Sequence, residues 1–325
     1  TPAALSTLAD RFDRRRLATA TSFFMLAPFV GGGLALGAGG ALFNWAKKVD
    51  RAALPLVGGI EDWQLVFLIV GMVGVVPSML LLLISDRKTT RPTAAEHGTM
   101  NELLGMFRRD WRIYMLYQLA MATMMVLVAS YVTWLPAAIM RSKGINEGQI
   151  GSLFGPIYLV CGASGTLSAG VVVMMRAGTD PVRTVIRYML TMLVLLWPVA
   201  SFGLLTSSLP VELALMGFAL FLVSSVISLS SLPFQYLTPR RMRARAMALM
   251  AMVTALFGTG LGPVLAGWLS DHLTGFSHPL SIAMALIGAV CVPIVIGLLA
   301  VVYRAHARRR LDLSIATDQR LEPGG

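Results

Sequence analysis

The sequence predicts an all-α protein that crosses a lipid bilayer many times. Three observations carry this. Apolar residues make up 56% of the 325-residue chain and charged residues only 13%, against roughly 25% charged in soluble domains; mean hydropathy is +0.72. Eight apolar runs each match the ~20 residues that a helix needs to cross hydrocarbon. The charges fall between the runs rather than inside them. Strands are excluded because the runs are long and lack alternation, and a helix satisfies its own backbone polar groups in lipid.

In chain order the runs are 18–46, 64–85, 113–140, 149–175, 184–206, 210–237, 246–270 and 279–303. Residues 1–9 (TPAALSTLA) read as the end of one more span. The chain starts at Thr1 without a Met or a signal peptide, so a truncated N-terminus is expected. The connections set the orientation. Those at 10–16, 86–112, 176–183 and 240–245, the stretch from 304 and Arg187 hold 22 of the 27 Lys and Arg. The opposite side holds only Lys47, Lys48, Arg51, Arg141 and Lys143. This bias makes the first set cytoplasmic, together with the C-terminus.

The longest connection, 86–112, carries Met100, Leu103, Leu104 and Phe107 at helical spacing, with Thr99 and Glu102 as a capping box. It predicts a short amphipathic helix at the membrane surface. The tail 304–325 is basic, then mixed, then ends in glycine, and is expected to lack regular structure.

The net charge of +11 does not point to nucleic acid. Its arginines lie in short loops, where topology and lipid headgroups account for them. Cys161 and Cys291 sit inside apolar runs, which argues against a disulfide framework. His97, His272, His278 and His306 fit no zinc spacing, and no phosphate loop or catalytic motif occurs, so neither an enzyme nor a cofactor or metal site is expected.

Two stretches repeat. A shift of 227 places Arg14, Arg16, Gly31, Gly33 and Gly40 on Arg241, Arg243, Gly258, Gly260 and Gly267. A basic cluster leading twice into a Gly-rich span predicts two similar halves. Gly31, Gly33, Gly40, Gly258, Gly260, Gly262 and Gly267 are expected to allow close helix packing. Ser224, Ser228, Ser231 and Gln235 share one helical face, beside Ser225. That face either lines a cavity or bonds neighbouring backbone. Tyr117, Met121, Met124, Val128 and Tyr131 form a second stripe, with Gln118 and Trp134 nearby; Tyr131 and Trp134 also suit an interfacial aromatic belt. Apart from Arg187 in the first turn of its run, Glu212 is the one Asp, Glu, Lys or Arg within a run, at a helix mouth, so no proton carrier lies at mid-depth.

Several segments resemble the major facilitator superfamily, and within it the spinster-like organic-solute branch. ADRFDRRRLATA (9–20) resembles the loop between helices 4 and 5, and DWQLVFLIVGMVGVV (62–76) the opening of helix 6. WLPAAIMRSKGINEGQIG (134–151) resembles the passage from helix 7 to helix 8. TPRRMRARAMALMAMVTALFGTGLGPVLAGWLSD (238–271) resembles the loop into helix 11, and HPLSIAMALIGAV (278–290) the start of helix 12. Pro28-x-x-Gly31-Gly32 resembles a pattern in the fifth helix of antiporters. One departure stands out: where the family carries an acid in the loop between helices 8 and 9, this chain has Met174.

The resemblance implies a two-bundle fold with helices 5–12 present and helices 1–3 plus most of helix 4 missing. Residues 1–85 would belong to the first bundle, 86–112 to the central cytoplasmic loop, 113–303 to the second bundle and 304–325 to the tail. It implies a monomer in a bacterial inner membrane that moves a small organic solute, an organic anion or sugar derivative, by proton-coupled alternating access. Export of drugs or amphipathic lipids is the alternative, and a non-transporting membrane sensor another. Tyr117, Gln118, Met124, Ser224, Ser228 and Ser231 would line the cavity. Arg14, Arg15, Arg16, Arg240, Arg241, Arg243 and Arg245 would fix topology and help close the cytoplasmic gate.

Overall fold

A computed structural model describes residues 2–13, 16–48, 61–79, 100–176, 178 and 180–321. All regular elements among them are helical. They are α1 (Pro2–Arg11), α2 (Leu17–Phe24), α3 (Ala27–Ala46), α4 (Asp62–Met79), α5 (Met100–Arg109), α6 (Trp111–Lys143) and α7 (Glu147–Met175). Then follow α8 (Pro181–Phe202), α9 (Leu209–Leu229), α10 (Leu232–Leu237), α11 (Arg240–Val253), α12 (Gly260–His272) and α13 (Pro279–Leu321). Among the described residues seven candidate spans are long and apolar enough to cross a membrane: Leu17–Gly39, Trp111–Lys143, Gly148–Met175, Pro181–Leu205, Leu209–Leu237, Arg241–His272 and Pro279–Arg309. The expected run 64–85 is described only as far as Met79, and its shorter apolar helix is Trp63–Met72.

Three spans are interrupted, and proline dates each interruption. A proline ring clashes with the carbonyl four residues earlier and supplies no N–H. Helix α2 ends at Phe24, four before Pro28; α9 ends at Leu229, four before Pro233; a π-helical turn Thr254–Thr259 ends four before Pro263. The first two spans break into turns at Met25–Leu26 and Ser230–Ser231. The third keeps its helix by widening. The 227-residue shift sets this π turn against 27–32, directly after the break in the related helix. Pro136, Pro156, Pro198 and Pro293 lie inside unbroken helices, so proline permits a break without dictating one.

Local sequence sets the ends facing the Lys143 side. Gly144 caps α6 at φ +66, a conformation glycine adopts without strain. Asn146 and Gln149 form a reciprocal capping box at the start of α7. Lys143 Nζ lies 3.0 Å from Glu212 Oε2 and donates to the carbonyls of Thr206 and Ser207, tying α6 to the start of α9. At the opposite end Asp180 caps α8, whose first residue is Pro181.

The core is built where α13 packs on both α6 and α8, and α8 packs on α9. Ile186, Met189, Leu193 and Leu196 pack with Leu222, Val226, Val292 and Leu299, all buried. Helix α3 lies along α7 instead. The amphipathic helix α5 is anchored by Phe107, whose ring meets Tyr114 and Phe234, whereas Leu104 is exposed. Its expected cap Thr99 lies outside the described residues.

The tail differs from expectation. Helix α13 continues beyond its span to Leu321. The segment from 304 is rich in Ala, Arg and Leu and has no Gly or Pro before Pro323, so nothing in it stops a helix already nucleated upstream.

Candidate functional site

The two broken spans face a common cavity of about 450 Å³. Its size suits a small organic molecule. Met25, Pro28, Phe29 and Gly32 contribute the wall beside the break in the first span. Met125, Val128, Tyr131 and Pro136 of α6 form a second wall. Phe154 and Tyr158 of α7, Leu196 and Ala200 of α8, and Met216, Val223 and Ile227 of α9 complete it. Irregular backbone at membrane depth occurs where it lines a cavity or is covered by protein. Each break here meets one of those conditions. Ile227 enters the cavity one turn before Ser230, whose carbonyl accepts from the buried Tyr117 hydroxyl at 2.7 Å.

The wall is almost entirely carbon. Among the described residues no Asp, Glu, Lys, Arg, His, Asn or Gln lines it. Its side-chain hydroxyls belong to Tyr131 and Tyr158, and Tyr131 donates to the carbonyl of Ala200 at 2.8 Å. A charged ligand would lose its hydration here without a countercharge from this wall, which is strongly unfavourable. An apolar or amphipathic one gains from burial at roughly 25 cal/mol per Å².

None of the six residues expected to line the cavity lies on this wall. Tyr117 and Met124 are core side chains. Gln118 donates to the carbonyl of Met250 at 3.2 Å. Ser224 and Ser228 bond the carbonyls of Phe221 and Ser225 in their own helix, and Ser231 accepts from Gln235 at 2.8 Å. Ser225 crosses to the carbonyl of Gly165. At Ser224 and Ser225 the serine face therefore packs against α7, where Gly165 leaves room for Ser224. The upper end of the other stripe, Val128 and Tyr131, does reach the cavity.

The glycines divide likewise. A Cβ on Gly33 would lie 2.6 Å from Leu159 Cβ, and one on Gly262 would lie 2.5 Å from the Val126 carbonyl oxygen. Gly258 sits against Met125, and Gly267 makes ordinary contact with Trp134. Gly31 and Gly260 have nothing within 4 Å, so the packing role expected for them is corrected. Gly40 carries no described side-chain environment. The glycines of α7 went unrecognised in the sequence. Gly151 lies under the Leu36 carbonyl, Gly155 against Gly37, Gly162 against Phe29 and Gly170 against Ser22.

The arginine-rich loops meet at one end. Helix α1 packs on α11, and Asp13 and Arg243 line one recess with Gln235, Tyr236 and Thr238. Arg16, Arg241 and Arg245 are exposed. Arg14 and Arg15 lie outside the described residues, as does the side chain of Arg240.

The family model of the Major Facilitator Superfamily matches residues 1–256. An MFS-type efflux pump of Mycolicibacterium smegmatis (strain ATCC 700084 / mc(2)155) is 26% identical over 266 residues, covering 77% of this chain and 61% of its own. The chain thus spans about three fifths of that relative's length. Two crystal structures of a bacterial homolog of the human lysosomal transporter Spinster share the fold. The inward-facing unoccupied form has a TM-score of 0.65 at 17% identity and covers 93% of this chain and 73% of its own. The inward-facing occupied form has a TM-score of 0.64 at 18% identity and covers 94% and 73%.

Proposed function

Because this chain belongs to the Major Facilitator Superfamily, we propose that it moves an apolar or amphipathic organic molecule across a membrane by alternating access. The observation that carries the substrate class is the carbon wall of the cavity. An organic anion or a sugar derivative would need several donors or a countercharge, and the wall offers two phenols, one of them already bonded. Efflux is the direction favoured by the relative of that name.

In this reading residues 1–85 and 113–303 belong to two bundles that rock about the cavity, and the arginine-rich end faces the cytoplasm. The α3–α7 contact is then the seam between bundles. Among the described residues the spans contain no Asp, Glu, Lys, Arg or His at mid-depth. The buried carboxylate they do contain is Glu212, held at the far end by Lys143.

The test is reconstitution of the whole chain in lipid vesicles with two probes, a lipophilic fluorescent dye and a radiolabelled hexose phosphate. The reading expects dye movement and no sugar phosphate movement. Val128→Asp, which puts a charge on the wall, should slow dye movement at least tenfold. Sugar phosphate transport without dye transport would overturn the substrate class, and movement of neither would favour a non-transporting membrane module.

A further inference from the structure

A second concavity lies away from the cavity, on the arginine-rich end of α7 and α8. These helices are joined by a short loop yet touch little, and α9 lies behind both. Between them runs a groove of about 570 Å³. Its inner part is mostly apolar, with Val172, Met192 and Phe221 of α9; the Ser168 and Thr191 hydroxyls that also line it donate to carbonyls of their own helices, Gly165 and Arg187. Arg176 and Arg187 stand on its wall toward the arginine-rich end, with Thr184.

The charge balance of this groove is one-sided. No acid lines it. Arg176 is exposed; its backbone N–H caps α7 on the Val172 carbonyl, and no hydrogen bond or ion pair of its side chain occurs among the described residues. Arg187 bonds the Tyr303 phenol at 3.2 Å, which leaves its charge unneutralised by a carboxylate there. The loop's acid, Asp180, faces His306 at 3.2 Å and caps α8. The position where an acid was expected is Met174.

Depth completes the picture. Arg176 follows the last residue of its span, Met175. Met192 lies five residues beyond Arg187 in α8, about 7.5 Å further along the helix. Arg176 therefore sits at headgroup depth, and Arg187, about 9 Å beyond the start of its span at Pro181, lies where a long arginine side chain can still reach headgroups, while the slot continues into hydrocarbon. A free anion would use only the arginines and leave the slot empty.

We propose that this groove binds an anionic phospholipid. Its phosphate lies between Arg176 and Arg187, and one acyl chain follows Val172 and Met192 over Phe221. Basic pockets between spanning helices are suited to such headgroups. The site rests on the membrane-spanning reading of α7 and α8, not on the transported substrate, so lipid retention tests it independently of transport.

The experiment is intact-complex mass spectrometry of the whole chain in mild detergent with phosphatidylglycerol, phosphatidylcholine or soluble glycerol 3-phosphate. Phosphatidylglycerol should be retained at least tenfold better than phosphatidylcholine. Each arginine near an anionic lipid contributes about fivefold in affinity, so Arg176→Gln/Arg187→Gln should lose about thirtyfold. Arg176→Lys/Arg187→Lys should keep most of the binding by keeping the charge. Val172→Trp should lose the lipid with both charges intact, because it fills the slot. Arg108→Gln/Arg304→Gln, elsewhere on the same side, should change retention less than twofold. Equal retention of both lipids, undiminished retention by the glutamine or tryptophan variant, or displacement by millimolar glycerol 3-phosphate would overturn the proposal.

Discussion

Two long seams hold this molecule together, and they are built differently. Along α3 and α7 the contact is shape alone. Gly33 meets Leu159, Gly37 meets Gly155 and the Leu36 carbonyl covers Gly151. No side-chain hydrogen bond joins α3 to α7 among the described residues; α2, the other part of the same span, adds Thr19 alone, which donates to the Gly170 carbonyl at 3.2 Å. The seam of α6 with α11 and α12 also uses glycines, at 258 and 262, but it is pinned as well. Ser130 donates to the Gly262 carbonyl at 2.7 Å, Trp134 to that of Pro263 at 2.9 Å and Gln118 to that of Met250 at 3.2 Å. Directed bonds fix a register, whereas contacts between small residues tolerate displacement of one helix along another. The unpinned seam is the one that alternating access would require to move.

The largest effect is expected where the unpinned seam is tightest. Gly155→Leu drives a side chain into the backbone of Gly37 and the Gly33 carbonyl. Overpacking of this kind costs about 1–3 kcal/mol. The variant should lose dye transport and unfold at lower temperature in vesicles. Full transport by Gly155→Leu would remove the seam from the mechanism.

A smaller effect is expected from unpinning the other seam. Ser130→Ala with Trp134→Phe deletes two interhelical bonds, each contributing about 0.6 kcal/mol in a membrane interior. Thermal unfolding should register a loss near 1 kcal/mol, with transport reduced less than by Gly155→Leu. The reverse ranking would mean that the pinned seam is the moving one.

The smallest effects belong to glycines that touch nothing. Gly31→Ala and Gly260→Ala meet open space and should stabilise their helices by up to about 1 kcal/mol, with transport unchanged. Loss of transport in either would reveal a contact made only in another conformation.

Much of the architecture was legible in the sequence because its physics is local. Span length, the arginine bias and the prolines at 28, 233 and 263 act within a few residues of themselves. The cavity wall was less legible. A helical face such as Ser224, Ser228 and Ser231 shows which residues lie together, not whether they meet a neighbour or open space. Here Gly165 brings α7 close enough to cover Ser224, while Ser228 and Ser231 are buried and bonded within their own segment. The Pro28 and Gly32 pair was a better signal, since both reach the wall. Gly151, Gly155, Gly162 and Gly170 were readable as small residues along α7, but their contacts with α2 and α3 depend on a partner more than a hundred residues away in sequence.

The most direct test compares the two seams with one chemistry, after Cys161 and Cys291 are replaced by alanine. Gly33→Cys with Leu159→Cys cross-links the unpinned seam; Met125→Cys with Gly258→Cys cross-links the pinned one. In each pair the new Cβ of the former glycine lies against its partner's Cβ. Dye transport in vesicles is followed under oxidation and then under reductant. The account predicts that the 33–159 cross-link arrests transport and that reductant restores it, while the 125–258 cross-link leaves transport largely intact. Transport that survives the 33–159 cross-link, or stops equally with both, would contradict it.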